Sequence, residues 1–514
     1  MSRPDQATAA EVVALDWREV APIQGGILRA FEELRQSSFP WLLDSALRDH
    51  GLGRFSFAGS DPYALIRVKG HVIEEHCRRA VRVGAQVGHR VGEGDPLVCF
   101  RTWLQPTPGL ADALPLPLPF VGGAVGYLGY ELMANPGGEA AAFPDDQIDF
   151  ADATLLMVDR VLAADHATDR IFALGLGFGS DSTEARQNAG STLEDLLEQI
   201  RPAHAPTARP ARMPFRKPAS AVEVLKARPP MGLHSTTGET EYTGQIQTIK
   251  GEISAGNVYE ANLTRRMETP FVGDPWKLYV ALRAVSPAPF SCFLEVPDGT
   301  IVGSSPERFL KLSDRGEVES RPIKGTRRRG STPEEDELLQ EDLAASEKDR
   351  AENLMICDLV RNDLGRVCRV GSVEVPMLMK VERYASVYQM VSVVTGLLRD
   401  DCDGLDLVRA AFPPGSMTGA PKIAAIDLLE RLEPVRRGVY SGAIGYFDQR
   451  GGMDLSVVIR TILVNKERAC LHVGGAVVAD SDAASEYAET IDKARALWAA
   501  LLEASPSEHE EAER

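Results

Sequence analysis

The 514-residue chain is predicted to fold as an α+β protein with two domains. Short apolar runs such as 64–68 and 154–158 have the length and composition of buried strands, and a helical apolar pattern follows over 191–200. A later stretch, RPAHAPTARPARMPFRKP, is dense in Pro, Ala and Arg and is typical of a linker, because such a composition cannot pack a core. The predicted units are an amino-terminal domain over 1–200, a linker over 201–218, a second domain over 219–502 and an acidic tail over 503–514.

The composition restricts the classes of partner. The chain carries 74 acidic and 56 basic side chains, a net charge of −18, which argues against a general nucleic-acid surface and favours a small-molecule partner. Seven cysteines at irregular spacing fit neither a disulfide framework nor a zinc ribbon and indicate reduced thiols. Neither an export signal nor a membrane-spanning run is predicted, so a cytoplasmic protein is expected.

Two helices are predicted in the second half of the chain. One has its periodic pattern near 241–255 and ends at Gly256, and the other begins at Ser346 and continues to about Arg361. Glu352 lies on the apolar stripe of the second helix, three, four and seven residues before Met355, Ile356 and Leu359. A carboxylate that faces the interior is unfavourable unless it is paired or bound to a metal, so Glu352 is a candidate functional residue.

A basic stretch at 321–330, RPIKGTRRRG, offers one amine among several guanidinium groups. Guanidinium groups stay charged, so this field is expected to lower the pKa of Lys324 and to favour a free, nucleophilic amine. Gly325 would let the backbone approach a ligand closely. The alternative is a solvated basic hairpin end without a function.

Charged residues in two carboxy-terminal segments also suggest a site. Arg460 falls inside an apolar run, 455–463, which is predicted to be a buried strand, so its guanidinium is expected to meet an anion. Glu486, Glu489 and Lys493 share one face of the last predicted helix. The simpler interpretation of Glu489 and Lys493 is a surface ion pair.

Six motifs in this order resemble the chorismate-utilising enzymes, a family that includes the anthranilate, aminodeoxychorismate, isochorismate and salicylate synthases. The motifs are GSSPER at 303–308, PIKGT at 322–326, DRAEN at 349–353, DLVRNDLG at 358–365, GSMTGAPK at 415–422 and EYAET at 486–490. The resemblance extends over 241–502 and is weaker in the amino-terminal half. It implies an α+β sandwich of antiparallel sheets flanked by helices, which binds chorismate and Mg²⁺ in the carboxy-terminal domain.

The resemblance also implies roles for individual residues. Glu352 and Glu489 resemble the magnesium ligands, with Glu486 close by, and carboxylate oxygens suit this cation. Glu307 resembles the general acid/base at the departing ring hydroxyl, and its pKa should be raised if it is buried. The residues that resemble substrate contacts are Arg460 and Tyr440 for the enolpyruvyl carboxylate, together with Gly325, Thr326 and Lys493.

Lys324 favours one branch of the family. The anthranilate-forming branch has alanine at this position, whereas the branch that makes 4-amino-4-deoxychorismate has the lysine, which attacks ring carbon C2 covalently. Gln389 stands where the family often has a histidine proton donor, and glutamine cannot replace that role. This departure also counts against elimination of pyruvate to anthranilate. The anthranilate route remains the alternative within the family, and an idle subunit that only activates a glutaminase is an alternative from another class.

The resemblance implies partners as well. No glutaminase-type nucleophile is evident in the sequence, so a separate glutamine amidotransferase is expected to supply ammonia. A separate aminodeoxychorismate lyase would complete p-aminobenzoate, a folate precursor. Asp44 and Ser45 resemble part of the family's tryptophan pocket, although Asp replaces the usual Glu, so bound tryptophan is a further hypothesis.

Overall fold

The computed structural model describes residues 11–48, 51–107, 110, 117–134, 149–204, 224, 226–384 and 387–505. These residues form 24 strands and 11 α-helices. The strands are β1 (Val12–Val20), β2 (Trp41–Asp44), β3 (Phe55–Gly59), β4 (Ala64–Lys69), β5 (Val72–Cys77), β6 (Gly88–Glu93), β7 (Gly123–Leu128), β8 (Ala153–Val158), β9 (Arg160–Asp165), β10 (Arg170–Gly179), β11 (His234–Ser235), β12 (Glu260–Pro270), β13 (Phe290–Val296), β14 (Gly299–Ser305), β15 (Arg308–Leu312), β16 (Glu317–Arg321), β17 (Ile323–Arg328), β18 (Glu374–Arg383), β19 (Val387–Leu397), β20 (Gly419–Ala420), β21 (Ala443–Asp448), β22 (Met453–Val457), β23 (Thr461–Asn465) and β24 (Arg468–Val477). The helices are α1 (Gly26–Leu34), α2 (Pro96–Trp103), α3 (Glu131–Ala134), α4 (Ser182–Ile200), α5 (Glu239–Ser254), α6 (Pro275–Val285), α7 (Pro333–Ala345), α8 (Glu347–Gly365), α9 (Gly404–Ala411), α10 (Lys422–Leu432) and α11 (Ala483–Ala504).

The strands form two antiparallel sheets, which confirms the predicted α+β sandwich. Sheet 1 has the order β1-β10-β9-β3-β2-β13-β14-β23-β24-β12-β11, with β20 also paired to β12. Sheet 2 has the order β17-β19-β16-β15-β22-β21-β7-β8-β4-β5-β6, with β18 also paired to β19.

Both sheets contain strands from both of the predicted domain ranges. In sheet 1, β2 pairs with β13, and in sheet 2, β7 pairs with β21. Main-chain hydrogen bonds therefore join 1–200 to 219–502 in each sheet. The predicted linker lies mostly outside the described residues, as does the tail beyond residue 505.

Two apolar layers stabilise the sandwich. Between the sheets, Phe57 of β3 meets Tyr446 of β21 with ring centroids 5.7 Å apart. On the outer face of sheet 1, helices α1, α4, α6 and α11 cover the strands, and Phe31 and Trp276 pack at 5.1 Å. None of the described helices is long and apolar enough to cross a membrane.

The predicted helices of the second half are confirmed with small shifts at their ends. α5 ends at Ser254, just before Gly256 at φ 81°. Ser346 caps α8, since its side chain accepts a hydrogen bond from the Asp349 backbone N–H at 3.3 Å. The helix then runs one turn beyond the predicted end, to Gly365.

The predicted continuous strand over 455–463 is wrong. The chain leaves sheet 2 at the end of β22, Val457, and enters sheet 1 at the start of β23, Thr461. Arg460 lies in this crossover at φ 49°. The apolar run gave no sign of the break, because residues on both sides of the crossover are buried in the same sandwich.

Candidate active site

Lys324 projects from β17 toward β12 of the other sheet. Its side chain is only 9% exposed, and Nζ donates to Glu260 Oε1 at 2.7 Å and to Asn262 Oδ1 at 3.3 Å. Glu260 and Asn262 are two residues apart in β12 and therefore point to the same face of the strand. A buried amine is thus held between a carboxylate and an amide.

The expected pKa shift of Lys324 is wrong in direction. Burial acts to lower the pKa of this amine, but the carboxylates of Glu260, Glu352 and Glu307 outweigh burial and raise it. The adjacent guanidinium groups are engaged elsewhere, namely Arg327 with Asp342 and Asp349, Arg328 with Glu335, and Arg329 with Asp336. The lysine lies among carboxylates, which sequence proximity could not indicate.

The backbone beside Lys324 requires a glycine. Gly325 has φ 86°, and a Cβ there would lie 2.9 Å from Asp349 Oδ1 and 2.9 Å from Leu343 Cδ1. Thr326 follows on the exposed side of β17, opposite the buried Gln389 of β19. The close packing against α7 and α8 explains the glycine, and the predicted substrate-binding roles of Gly325 and Thr326 remain predictions.

Glu307 lies at the turn between β14 and β15 and is buried. Burial raises its pKa to about 7, against the smaller opposing effects of a hydrogen bond with Ser416 and the charge of Lys324. A carboxyl group with this pKa is partly protonated near neutral pH and can both give and take a proton. The predicted rise in pKa is therefore present, and its physical cause is loss of solvent.

Helices α8 and α11 carry three further carboxylates. Glu352 is buried, as its place on the apolar stripe predicted, and burial raises its pKa to about 7. Glu486 is also buried, whereas the Glu489 side chain is 49% exposed and pairs with Lys493 Nζ at 2.7 Å. Lys348 Nζ lies 3.0 Å from Glu486 Oε1 and 3.8 Å from Glu352 Oε1, between the two buried carboxylates.

The donor chemistry of these three glutamates fits magnesium. Their oxygens are hard ligands, and Glu352 Oε1 is buried without a hydrogen-bond partner among the described residues. As the side chains stand, the described part of the chain contains no group of three His, Cys, Asp or Glu that could hold a metal ion. The ammonium groups of Lys348 and Lys493 occupy the carboxylates instead.

The Arg460 crossover and the segment before β21 provide anion-binding chemistry. No ion pair connects the Arg460 side chain to a carboxylate among the described residues, and burial lowers the pKa of this guanidinium. Tyr440 is buried and stacks on His472, with ring centroids 5.0 Å apart and planes 13° apart. Burial also raises the pKa of the Tyr440 phenol, which therefore stays a hydrogen-bond donor.

Arg437 connects the segments that carry these groups. Its buried guanidinium donates to Asn262 O at 2.6 Å, to Met417 O at 2.7 Å and to Ser441 Oγ at 3.3 Å, and it pairs with Glu433 at 2.7 Å. These contacts fix residues beside the Lys324 partner, the Ser416 turn and Tyr440. Arg437 thus orients the site without being placed to touch a ligand.

The Asp44 region is a separate polar cluster. The Asp44 carboxylate accepts hydrogen bonds from Ser56 Oγ at 3.0 Å, Tyr279 OH at 2.8 Å and Arg283 Nε at 2.6 Å. Ser45 donates to Phe55 O at 2.6 Å. Both residues line a cavity of about 330 Å³. The carboxylate is already occupied by protein donors, and tryptophan binding there remains a prediction.

Several residues of the site were missed at the level of sequence. The missed residues are Glu260, Asn262, Lys348, Ser416, Arg437 and His472. Glu260 and Asn262 carried a usable signal, since polar residues two apart in an otherwise strand-like segment share a face. Lys348 carried another, because it lies four residues before Glu352 on one helix.

The fold and the site together define a class of enzyme that binds a small polyanion in a sandwich of antiparallel sheets. The chain matches the family described as chorismate binding enzyme over residues 69–499. It belongs to that family, as the motifs predicted.

Among the curated relatives, the chain is 42% identical over 483 residues to an aminodeoxychorismate synthase of Streptomyces griseus, covering 93% of this chain and 63% of that protein. It is 36% identical to aminodeoxychorismate synthase component 1 of Bacillus subtilis, covering 92% and 94% of the two chains. It is 34% identical to anthranilate synthase component 1 of Synechocystis, covering 94% of each.

A solved structure gives the same picture of the fold. Anthranilate synthase component I from Streptococcus pneumoniae superposes with a TM-score of 0.71 at 29% identity, covering 88% of this chain and 93% of that one. The relatives thus include both amine-forming branches of the family.

Proposed function

We propose that the protein is an aminodeoxychorismate synthase component I, which converts chorismate and ammonia to 4-amino-4-deoxychorismate. The observation that carries the proposal is the buried amine of Lys324, held 2.7 Å from Glu260 and within electrostatic reach of Glu307 and Glu352. An amine placed among acid–base groups in the interior is suited to covalent catalysis. The names of the Streptomyces griseus and Bacillus subtilis relatives support the same assignment.

The first step requires the free amine. Carboxylates raise the pKa of Lys324, so the resting residue is an ammonium, and a proton must leave before Nζ can attack. Glu260 Oε1 already accepts a hydrogen bond from Nζ, and Glu260 Oε2 has no partner in the described structure. Glu260 is therefore the base that we assign to this proton.

Bond formation at C2 is coupled to loss of the C4 hydroxyl. Nζ bonds to ring carbon C2, the two ring double bonds shift, and the C4–O bond breaks. Glu307, with its pKa of about 7, donates a proton so that the oxygen leaves as water. Ammonia then bonds to C4, the double bonds shift back, and the C2–N bond to Lys324 breaks, which restores the lysine.

Cationic and phenolic groups would orient the dianionic substrate. We assign the enolpyruvyl carboxylate to Arg460 and Tyr440, because this guanidinium lacks a carboxylate partner among the described residues. Lys493 and Thr326 remain further candidate contacts. Magnesium, held by Glu352, Glu486 and Glu489, would neutralise the ring carboxylate when bound.

The reaction also requires partners. We propose that a glutamine amidotransferase supplies the ammonia and that an aminodeoxychorismate lyase consumes the product, in the route to p-aminobenzoate and folate. The chain spans about 63% of the Streptomyces griseus relative, so these assignments concern the protein in which this chain acts.

The product distinguishes the two amine-forming routes. Incubation with chorismate, Mg²⁺ and an ammonium salt should yield 4-amino-4-deoxychorismate, identified by chromatography and mass spectrometry. Anthranilate formed without an added lyase would contradict the proposal. An absence of any product with ammonia would instead support a non-catalytic, glutaminase-activating subunit.

Replacement of the nucleophile should have a large effect. Lys324→Ala is expected to lose at least about 10³-fold in kcat, since the covalent route disappears. Lys277→Ala, an exposed lysine on α6, is the matched control and should behave like the unsubstituted protein. Full activity of the Lys324 variant would exclude the covalent role.

A further inference from the structure

Lys348 lies between the two buried carboxylates at the junction of α8 and α11. Its Nζ is 3.0 Å from Glu486 Oε1, on α11, and 3.8 Å from Glu352 Oε1, one turn further along α8. The lysine therefore connects two helices through the side chains that we assign to magnesium.

These contacts differ from an ordinary surface ion pair. The Lys348 side chain is 45% exposed, but both carboxylates are buried. Glu486 Oε1 also accepts a hydrogen bond from Ser481 Oγ at 2.7 Å, whereas Glu352 Oε1 has no hydrogen-bond partner in the described structure. At 3.8 Å the ammonium balances the charge of Glu352 without making a hydrogen bond to it. One buried oxygen is thus left for another ligand.

The other lysine at this cluster is held in place. Lys493 Nζ pairs with Glu489 Oε1 at 2.7 Å and also donates to Gly474 O, in β24, at 2.8 Å. Lys348 has no such main-chain anchor, and its long, half-exposed stem can move the ammonium into water. Of the two ammonium groups, Lys348 is the one that can leave.

We propose that the Lys348 ammonium is a built-in counter-ion that competes with the divalent cation for Glu352 and Glu486. This inference rests on the magnesium site of the proposed function. A divalent cation needs the same carboxylate oxygens, and two positive centres a few ångströms apart repel each other strongly in a partly buried site. Binding of the cation therefore requires that Lys348 withdraw, which weakens metal affinity while no substrate is bound.

The test is Mn²⁺ binding by the full chain without chorismate, followed by the electron paramagnetic resonance signal of free Mn²⁺. Lys348→Met keeps the long stem but removes the charge, and it should bind Mn²⁺ about tenfold more tightly than the unsubstituted protein. Lys348→Arg keeps the charge and should show no such gain. Arg350→Met is the matched control, because it removes one positive charge from the same turn of α8 at an exposed position.

The outcomes separate this inference from the proposed metal site. Glu352→Gln should weaken Mn²⁺ binding if the assigned carboxylates hold the cation. If Glu352→Gln weakens binding but Lys348→Met does not tighten it, the competitor role is wrong and the metal site stands. If Mn²⁺ binds neither the unsubstituted protein nor Lys348→Met, both are wrong. Equal tightening by Arg350→Met would also overturn the inference, since the effect would then come from net charge. Thermal unfolding curves of the variants check that each one folds.

Discussion

Two buried carboxylate clusters in this molecule are built in opposite ways. Asp44 accepts hydrogen bonds from Ser56, Tyr279 and Arg283 at 2.6 to 3.0 Å, so its charge is fully compensated by the protein. Glu307 and Glu352 lie among fewer donors, and burial raises the pKa of each to about 7. A buried charge that the protein satisfies stabilises the fold, whereas one that it leaves incompletely satisfied is available for chemistry.

The largest effect expected from this difference is on catalysis. Glu307→Gln should reduce kcat by about 10²- to 10⁴-fold, because glutamine can neither donate nor accept the proton at the leaving hydroxyl. In the unsubstituted protein the rate should fall as the pH rises through about 7, the pKa of the Glu307 carboxyl group, since the acid form is then lost. Steady-state rates measured with ammonium at several pH values test this.

Two results would contradict the role of Glu307. One is a Glu307→Gln variant that keeps the same alkaline limb in its pH profile. The other is an equal loss of activity in Glu317→Gln, the control variant, which changes an exposed carboxylate of β16.

The comparison also explains how far sequence reasoning could reach. Local patterns predicted the Ser346 cap, the course of α8 and the inward position of Glu352, because helical periodicity is written in neighbouring residues. The sandwich class and the site motifs followed from the family resemblance. Those inferences depend on short segments.

Features that depend on distant segments could not be predicted. The charge field of Lys324 is set by Glu260, 64 positions away, and not by the adjacent arginines. The break at Arg460 exists because consecutive strands belong to different sheets, and a uniformly buried run shows no such change. Pairing of β2 with β13 likewise joins residues about 250 positions apart.

A smaller effect, on stability, is expected at the compensated cluster. Asp44→Ala should lower the free energy of unfolding by about 3 to 5 kcal/mol, because Arg283 and Tyr279 would lose a buried partner. Urea unfolding at neutral pH measures the change. Asp314→Ala, at an exposed turn, is the control and should change stability by less than about 0.5 kcal/mol. A loss below about 1 kcal/mol for Asp44→Ala would mean that the cluster is not stabilising.

The smallest effect should have the opposite sign. The pKa of Glu307 is raised in the folded state, so its contribution to stability is complete below the unfolded value of about 4.5 and is lost as the pH rises through about 7. Above pH 7 the buried carboxylate is ionised and destabilises the fold, and Glu307→Gln should therefore raise the free energy of unfolding by about 2 kcal/mol at pH 8. At pH 5 the two proteins should be nearly equal in stability, because the carboxyl group is then protonated when folded. Urea unfolding at both pH values tests the sign directly. If Glu307→Gln were less stable than the unsubstituted protein at pH 8, then Glu307 would be compensated in the same way as Asp44, and the distinction between the two clusters would fail.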